Sequence, residues 1–240
     1  MDIAKRLKPI EAATYFIDQH FPNCQGALLA GSVVRGEETD TSDLDIIVLD
    51  NSISSSYRES LIKYGWPIEV FVHSISSYKQ FFEMDYRRAK PSMQRMIAEG
   101  IILKDDGVIS PIKEEAKLVL DKGPEEWSEE TIRVKQYFIT DVLDDFIGCH
   151  DRAEGIFIAN TLSNLIHEFV LRTNRMWIGT SKWIVRALKH YDEGFTNDFV
   201  EAFDMYYQTG EKDRVIQLSQ KVLEPYGGPL FDGFSIGKAE

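Results

Sequence analysis

The sequence predicts an α+β fold in which a half of mixed strands and helices precedes an all-helical half. Three observations carry this expectation. Short apolar runs bounded by glycine, serine and aspartate recur in the first hundred residues. No strand pattern appears after about residue 105. From Ser128 onward, apolar residues recur with helical spacing almost to the end. The 240 residues suffice for one large domain or two modest ones. The change of character at Gly123-Pro124 divides them into 1–123 and 124–240.

In the first half, "PIEAATYFIDQHF" carries Ile10, Ala13, Phe16, Ile17 and Phe21 at helical spacing, with Pro9 suited to the first turn and Pro22 ending it. "GALLAGS" is a short buried strand running into a turn, and "DLDIIVL" is a second strand. In "SYRESLIKY", Tyr57, Leu61 and Tyr64 fit helical spacing better than alternation, so a helix ended by Gly65 is expected. "PIEVFVHS" is a third strand. "SISSYKQFFEMDYRRAK" and "PSMQRMIAEG" read as helices, "IILKD" as a short strand, and "SPIKEEAKLVLDK" as a helix with Pro111 in its first turn. In the second half, "SEETIRVKQYFITDVLDDFIGC" opens with Ser128 as its cap. "AEGIFIANTLSNLIHEFVLRT", "SKWIVRALKHY", "NDFVEAFDMYYQT" and "KDRVIQLSQKVLEPYG" follow as helices, and "GGPLFDGFSIGKAE" is a tail without periodicity.

Composition narrows the function. Hydrophobic residues at 43% and charged residues at 28% are ordinary for a globular chain with a real core. A net charge of −12 argues against a nucleic-acid partner, which requires clustered Lys and Arg. Such an acidic surface serves solubility first, and it also suits a cationic substrate. Two distant cysteines, Cys24 and Cys149, indicate neither a zinc knuckle nor a disulfide framework. "MDIAKRLKPIEAATYF" is amphipathic without an apolar signal core, and no run is long enough to span a bilayer. A cytoplasmic protein with no membrane partner is therefore expected.

The stretch "LLAGSVVRGEETDTSDLDIIVLD" carries the chemistry. Alternation on a strand sends Asp43 and Asp45 to the same side, their Cα atoms roughly 6.5 Å apart. Like charges this close, beside buried apolar residues, resist ionisation unless a cation joins them. Hard cations such as Mg²⁺ favour carboxylate oxygens and keep substrate phosphates in their shell. Glu69, isolated in the apolar run "PIEVFVH", can complete the set if its strand neighbours "DLDIIVL". Three such acids can hold two metal ions, one activating an attacking oxygen and one stabilising a leaving oxygen. The plainer alternative is that "TDTSD" is only a turn and Glu69 only a sheet-edge acid. Gly31-Ser32 weighs against it, because a small turn after a strand offers backbone N–H groups and a hydroxyl to phosphate, and Arg35 adds a charge.

Together these residues resemble the DNA polymerase β-like nucleotidyltransferase superfamily. Ala30-Gly31-Ser32, a spacer from Val33 to Ser42, Asp43-Leu44-Asp45-Ile46 and the later Glu69 match its pattern over about a fifth of the chain. The compact first half followed by a helical half is similar to the antibiotic nucleotidyltransferases of the kanamycin and lincosamide types. That resemblance implies a nucleotidyltransferase domain at 1–123 and a helical domain at 124–240. It implies that Gly31, Ser32 and Arg35 touch the triphosphate, that Asp43 and Asp45 bind Mg²⁺, and that Glu69 is a third ligand or a base. It implies ATP or another NTP as co-substrate and a homodimer that completes the acceptor pocket.

In the helical half, Val142, Leu143, Phe146 and Ile147 form an apolar stripe on "TDVLDDFIGCHD", leaving Asp141, Asp144 and Asp145 off it. Kanamycin-type enzymes place a base on a helix at about this distance after the metal motif, there a Glu. Asp141 and Asp145 are the corresponding acids here; the other reading is a solvated acidic face. Lys182 opens a helix after Gly179, against the macrodipole, which suits a nearby anion such as the triphosphate; a surface lysine is the alternative. His150, His167 and His190 lack metal-ligand spacing and read as structural. Trp127, Trp177, Trp183, Tyr206 and Tyr207 read as core residues. The expected activity is transfer of AMP from ATP to the hydroxyl of an aminoglycoside- or lincosamide-like small molecule. Adenylylation of a protein partner and a non-catalytic nucleotide-binding module are the alternatives.

Overall fold

A computed structural model describes residues 6–238. The first five residues of the amphipathic opening stretch and the last two of the tail lie outside the described residues. The chain forms two compact units, Met1–Gly123 and Pro124–Glu240.

The first unit is a five-stranded mixed sheet between helices. Helix α1 (Pro9–His20) starts on Pro9, whose fixed φ and missing N–H suit a first turn. It buries Ala12, Ala13, Phe16 and Ile17, whereas Ile10, expected on that face, is 50% exposed. Strands β1 (Gly26–Ala30), β2 (Leu44–Leu49), β3 (Tyr57–Lys63), β4 (Trp66–His73) and β5 (Ile101–Asp105) lie in the order β3-β4-β2-β1-β5. Only β2 and β4 run parallel; the other pairs are antiparallel.

The central strands are buried on both faces because helices cover both. Ala27, Leu29, Ile46, Val48, Ile68 and Val70 pack against α1. Leu28, Ile47 and Leu49 pack against α2 (Tyr78–Arg87), α3 (Ser92–Glu99) and α4 (Ile109–Lys122).

The helix expected over Ser56–Tyr64 is absent; that stretch is the edge strand β3. Lys63 pairs with Trp66, which leaves Tyr64 and Gly65 as a two-residue hairpin turn with φ of 53° and 78°. Two left-handed residues in a row give the turn whose twist matches its flanking strands. Gly65 supplies a left-handed turn residue here, not a helix cap. Apart from half-buried Leu61, β3 is exposed along its length. It therefore shows no alternation of burial, and its apolar residues mimic helical spacing by chance.

The second unit is helical. Helix α5 (Glu129–Gly148) is capped by Ser128, whose Oγ accepts from the Thr131 N–H at 3.1 Å. Asp151 caps α6 (Arg152–Thr173) through the N–H groups of Ala153 and Glu154. Helices α7 (Lys182–Tyr191), α8 (Glu193–Thr209) and α9 (Asp213–Leu223) follow. Helix α5 packs on α6, and α8 packs on α9.

The buried stripe of α5 runs through Gln136, Ile139, Leu143 and Phe146. Ile147, expected on that stripe, is 46% exposed. Gln136 is buried because its amide donates to the carbonyls of Tyr226 and Gly228 at 3.0 and 2.6 Å. The irregular tail is pinned there too, with Phe234 stacked on Tyr137 at 4.0 Å. Trp177 and Tyr206 are buried, whereas Tyr207, expected in the core, is 39% exposed. Among the described residues, no helix is long and apolar enough to cross a membrane.

Candidate active site

Register brings the acids together. Asp45 on β2 lies opposite Ala30 of β1 on one side and Glu69 of β4 on the other. Alternation puts Asp45 on the same sheet face as Ile47 and Leu49, and Glu69 on the same face as Phe71, the face covered by α2–α4. Asp43, just before β2, lies one alternation earlier. Each of Asp43, Asp45 and Glu69 offers a carboxylate oxygen within 4.8 Å of the others, and all three are half-buried. Among the described residues this is the only group of three acids, histidines or cysteines so placed.

The backbone is shaped around these acids. Gly31 has φ of 84°, a left-handed conformation, and a Cβ built on it would stand 2.2 Å from Asp45 Oδ2. Only glycine lets the carboxylate lie against the turn that follows β1. Ser32 opens a 3₁₀ turn (Ser32–Arg35), and its hydroxyl donates to Ser42 Oγ at 3.2 Å. Ser42 Oγ also accepts from the Thr39 N–H at 2.8 Å, and the Ser42 carbonyl accepts from the Arg6 guanidinium at 2.9 Å. The spacer loop is thus fastened at the residue that leads into Asp43.

The charges are strained in the expected sense. Burial first, then the neighbouring Asp43 and Glu69, pushes the Asp45 carboxyl up to about 6, against the pull of Arg58 and Arg35. Arg58 on β3 donates to Glu69 and is the cation that meets the acids from the edge strand. Arg35 is held by Glu37 at 3.0 Å and Glu99 at 2.9 Å, so contact with a phosphate requires exchange of those partners. Three hard oxygen donors in one group fit a hard divalent cation. In such a site the acids act as ligands.

The remaining residues singled out by sequence lie in the second unit. Asp141 and Asp145 stand one turn apart on an exposed face of α5, with Asp144 exposed beside them. Lys182 is the first residue of α7 and is exposed. Gly179 lets the chain fold back on that helix start, since a Cβ there would stand 2.1 Å from the Trp183 carbonyl oxygen. His167 is buried, with Nε2 3.3 Å from the Gly179 carbonyl, in keeping with a structural role. Both cysteines are free thiols.

Arg58 escaped the sequence reading. It sits in the stretch expected to be helical, where it has no relation to Glu69. The available signal was the Tyr64-Gly65 pair: reading it as a two-residue hairpin sets β3 against β4 and brings Arg58 beside the acids.

Comparisons with known proteins add little to this geometry. No protein-family model matches the chain, and no curated protein sequence matches it. Among solved structures, it is similar to a nucleotidyltransferase-like protein from Exiguobacterium sibiricum 255-15 at 11% identity. The alignment covers 90% of this chain and 73% of that one, with a TM-score of 0.45.

Proposed function

We propose that the chain is a Mg²⁺-dependent nucleotidyltransferase that moves AMP from ATP to a hydroxyl of a small molecule. The observation that carries this reading is the group formed by Asp43, Asp45 and Glu69, with Gly31 shaped to receive Asp45. Asp43 and Asp45 hold the cation, and Glu69 completes the site or takes the proton of the attacking hydroxyl. A bound Mg²⁺ supplies charge neutralisation at the phosphates. The acceptor oxygen forms its bond to the α-phosphorus as the bond to the bridging oxygen breaks, and pyrophosphate leaves with that electron pair. Ser32 and Arg35 contact the triphosphate. Orientation and preorganised charge supply most of the rate. The free thiols are consistent with work in a reducing cytoplasm.

The test is Mg²⁺-dependent pyrophosphate release from ATP by the wild type and by the Asp43→Asn/Asp45→Asn double variant. Release by the wild type and its loss in a folded double variant is the expected result. Unchanged release by the double variant sinks the reading. ATP binding without release points to a nucleotide-binding module, and label appearing only on proteins points to a protein acceptor.

A further inference from the structure

On the same sheet face as the acids lies a cleft of about 410 Å³, within the range of small-molecule sites. Its apolar walls are Ile47 and Phe71 from the sheet with Phe81, Met93 and Met96 from α2 and α3. Ile47 follows Asp45 by one same-face step on β2, and Phe71 follows Glu69 by one such step on β4. That step is roughly 6.5 Å, about the width of one ring and a bond. Arg58 joins the two places. Its guanidinium donates to Glu69 and also lies over the Phe71 ring, 4.9 Å from the centroid, and it lines the cleft. A molecule whose hydroxyl stands at the acids and whose body lies along the sheet therefore has its body in this cleft.

The lining also defines what the cleft accepts. It holds one cation, Arg58, and one carboxylate, Asp85. Asp85 is already engaged, accepting from the Met93 N–H at 2.9 Å, where it satisfies the start of α3. A polycation finds no unengaged acid there and meets the Arg58 guanidinium at the acid end. At the other end His73 is 4% exposed, packs edge-on against Phe81 at 4.5 Å, and its Nδ1 has no hydrogen-bond partner among the described residues. A buried polar atom left without a partner is uncommon and costly.

We propose that this cleft seats the body of the acceptor, so that the acceptor is an uncharged ring-bearing alcohol or phenol and not a polycation. The proposal rests on the nucleotidyl-transfer reading. Within that reading it excludes the aminoglycoside type and assigns acceptor selection to β3, β4, α2 and α3 of the first unit. Arg58 and Phe71 border the acid end, and His73 offers a polar contact at the far end.

Two measurements on the full chain test it. Naphthol binding without nucleotide is followed by calorimetry in the wild type and in Ser92→Trp. Ser92 lines the cleft and is exposed, so a tryptophan there fills space in the cleft from its solvent side. Pyrophosphate release from Mg²⁺-ATP is then compared with naphthol and with kanamycin as acceptors. Naphthol should bind the wild type, bind Ser92→Trp about tenfold more weakly or worse, and stimulate release where kanamycin does not. Absence of naphthol binding, equal binding to Ser92→Trp, or kanamycin-stimulated release overturns the proposal. Failure of the underlying reading looks different: no release with either acceptor, while naphthol binding and its loss in Ser92→Trp persist. That outcome removes the acceptor role together with the transfer reaction.

Discussion

Replacing Asp45 by Asn should make the metal-free protein more stable at neutral pH, although it removes a central residue of the site. The folded state raises the Asp45 carboxyl from its ordinary 3.8 to about 6, mainly by burial and then by Asp43 and Glu69. A folded state that holds the proton more tightly than the unfolded chain loses stability as pH rises through that interval. The loss begins near 3.8 and is complete above about 6. At about 1.4 kcal/mol per pH unit the interval sets an upper bound of about 3 kcal/mol. Solvent reaching the half-buried group reduces this to about 1–2 kcal/mol. Asparagine keeps the shape and removes the charge. Hydrogen exchange at the slowest β2 and β4 amides reads the first unit by itself.

With chelator present at about pH 7.5, Asp45→Asn should be the more stable by about 1–2 kcal/mol, with the two proteins equal below about pH 3.5. Mg²⁺ should reverse the order. At a hundred times its Kd it adds about 2.7 kcal/mol to the wild type and almost nothing to the variant. Lower stability of Asp45→Asn in chelator, or equal Mg²⁺ stabilisation of both proteins, refutes the reasoning.

Other expectations concern the same unit. Gly31→Ala places a methyl where Asp45 Oδ2 lies and forces a left-handed φ on an L-residue, so it should cost about 1–3 kcal/mol and weaken Mg²⁺ binding; calorimetric titration of the folded variant checks the second point. Arg58→Met removes the cation that competes for Glu69. It should raise Mg²⁺ affinity several-fold while changing stability by about 1 kcal/mol or less, since the Arg58 side chain is largely exposed, and a fall in affinity contradicts the assignment. Burial pushes the His73 imidazole down to about 4, so the unfolded chain binds the extra proton. Stability conferred by neutral His73 is present above the ordinary 6.5 and drains away as pH falls towards about 4. His73→Phe should flatten that acid limb in hydrogen exchange at β4.

The legible parts of the molecule were those whose burial has a period. Helix α1, the strands β1, β2 and β4 and the helices from α5 onward each bury one face or both, and their apolar residues record it. Strand β3 failed because its Arg58, Glu59 and Ser60 are exposed as they would be on a helix, whereas β5, the other edge strand, is nearly as exposed but was legible from its short apolar run. The acids were legible for the opposite reason. Asp45 and Glu69 interrupt runs of buried residues, and charge inside such a run demands a cause. Their adjacency required only that β2 and β4 be neighbours, which the register Asp45 to Glu69 provides. The cleft was not legible, because Ile47, Phe71, Phe81, Met93 and Met96 are the residues any core would use. Space between apolar side chains leaves no mark on their order in the sequence. Ile10 and Ile147 show the same limit from the other side, since helical spacing counts a residue as buried before anything is known to cover it.

The Tyr64-Gly65 hairpin also bears on how the first unit folds. Strands β3 and β4 are joined by two residues and can pair early, because closing so short a loop costs little chain entropy. The parallel pairing of β2 with β4 is less local, and contact order favours its forming as that ribbon docks. In that order Asp43 and Asp45 meet Glu69 in the docking step, and Arg58 comes on the same ribbon as Glu69, beside it in the register. The third acid is thus chaperoned by its own hairpin to the other two, which spares the late step from bringing a bare like charge into the sheet.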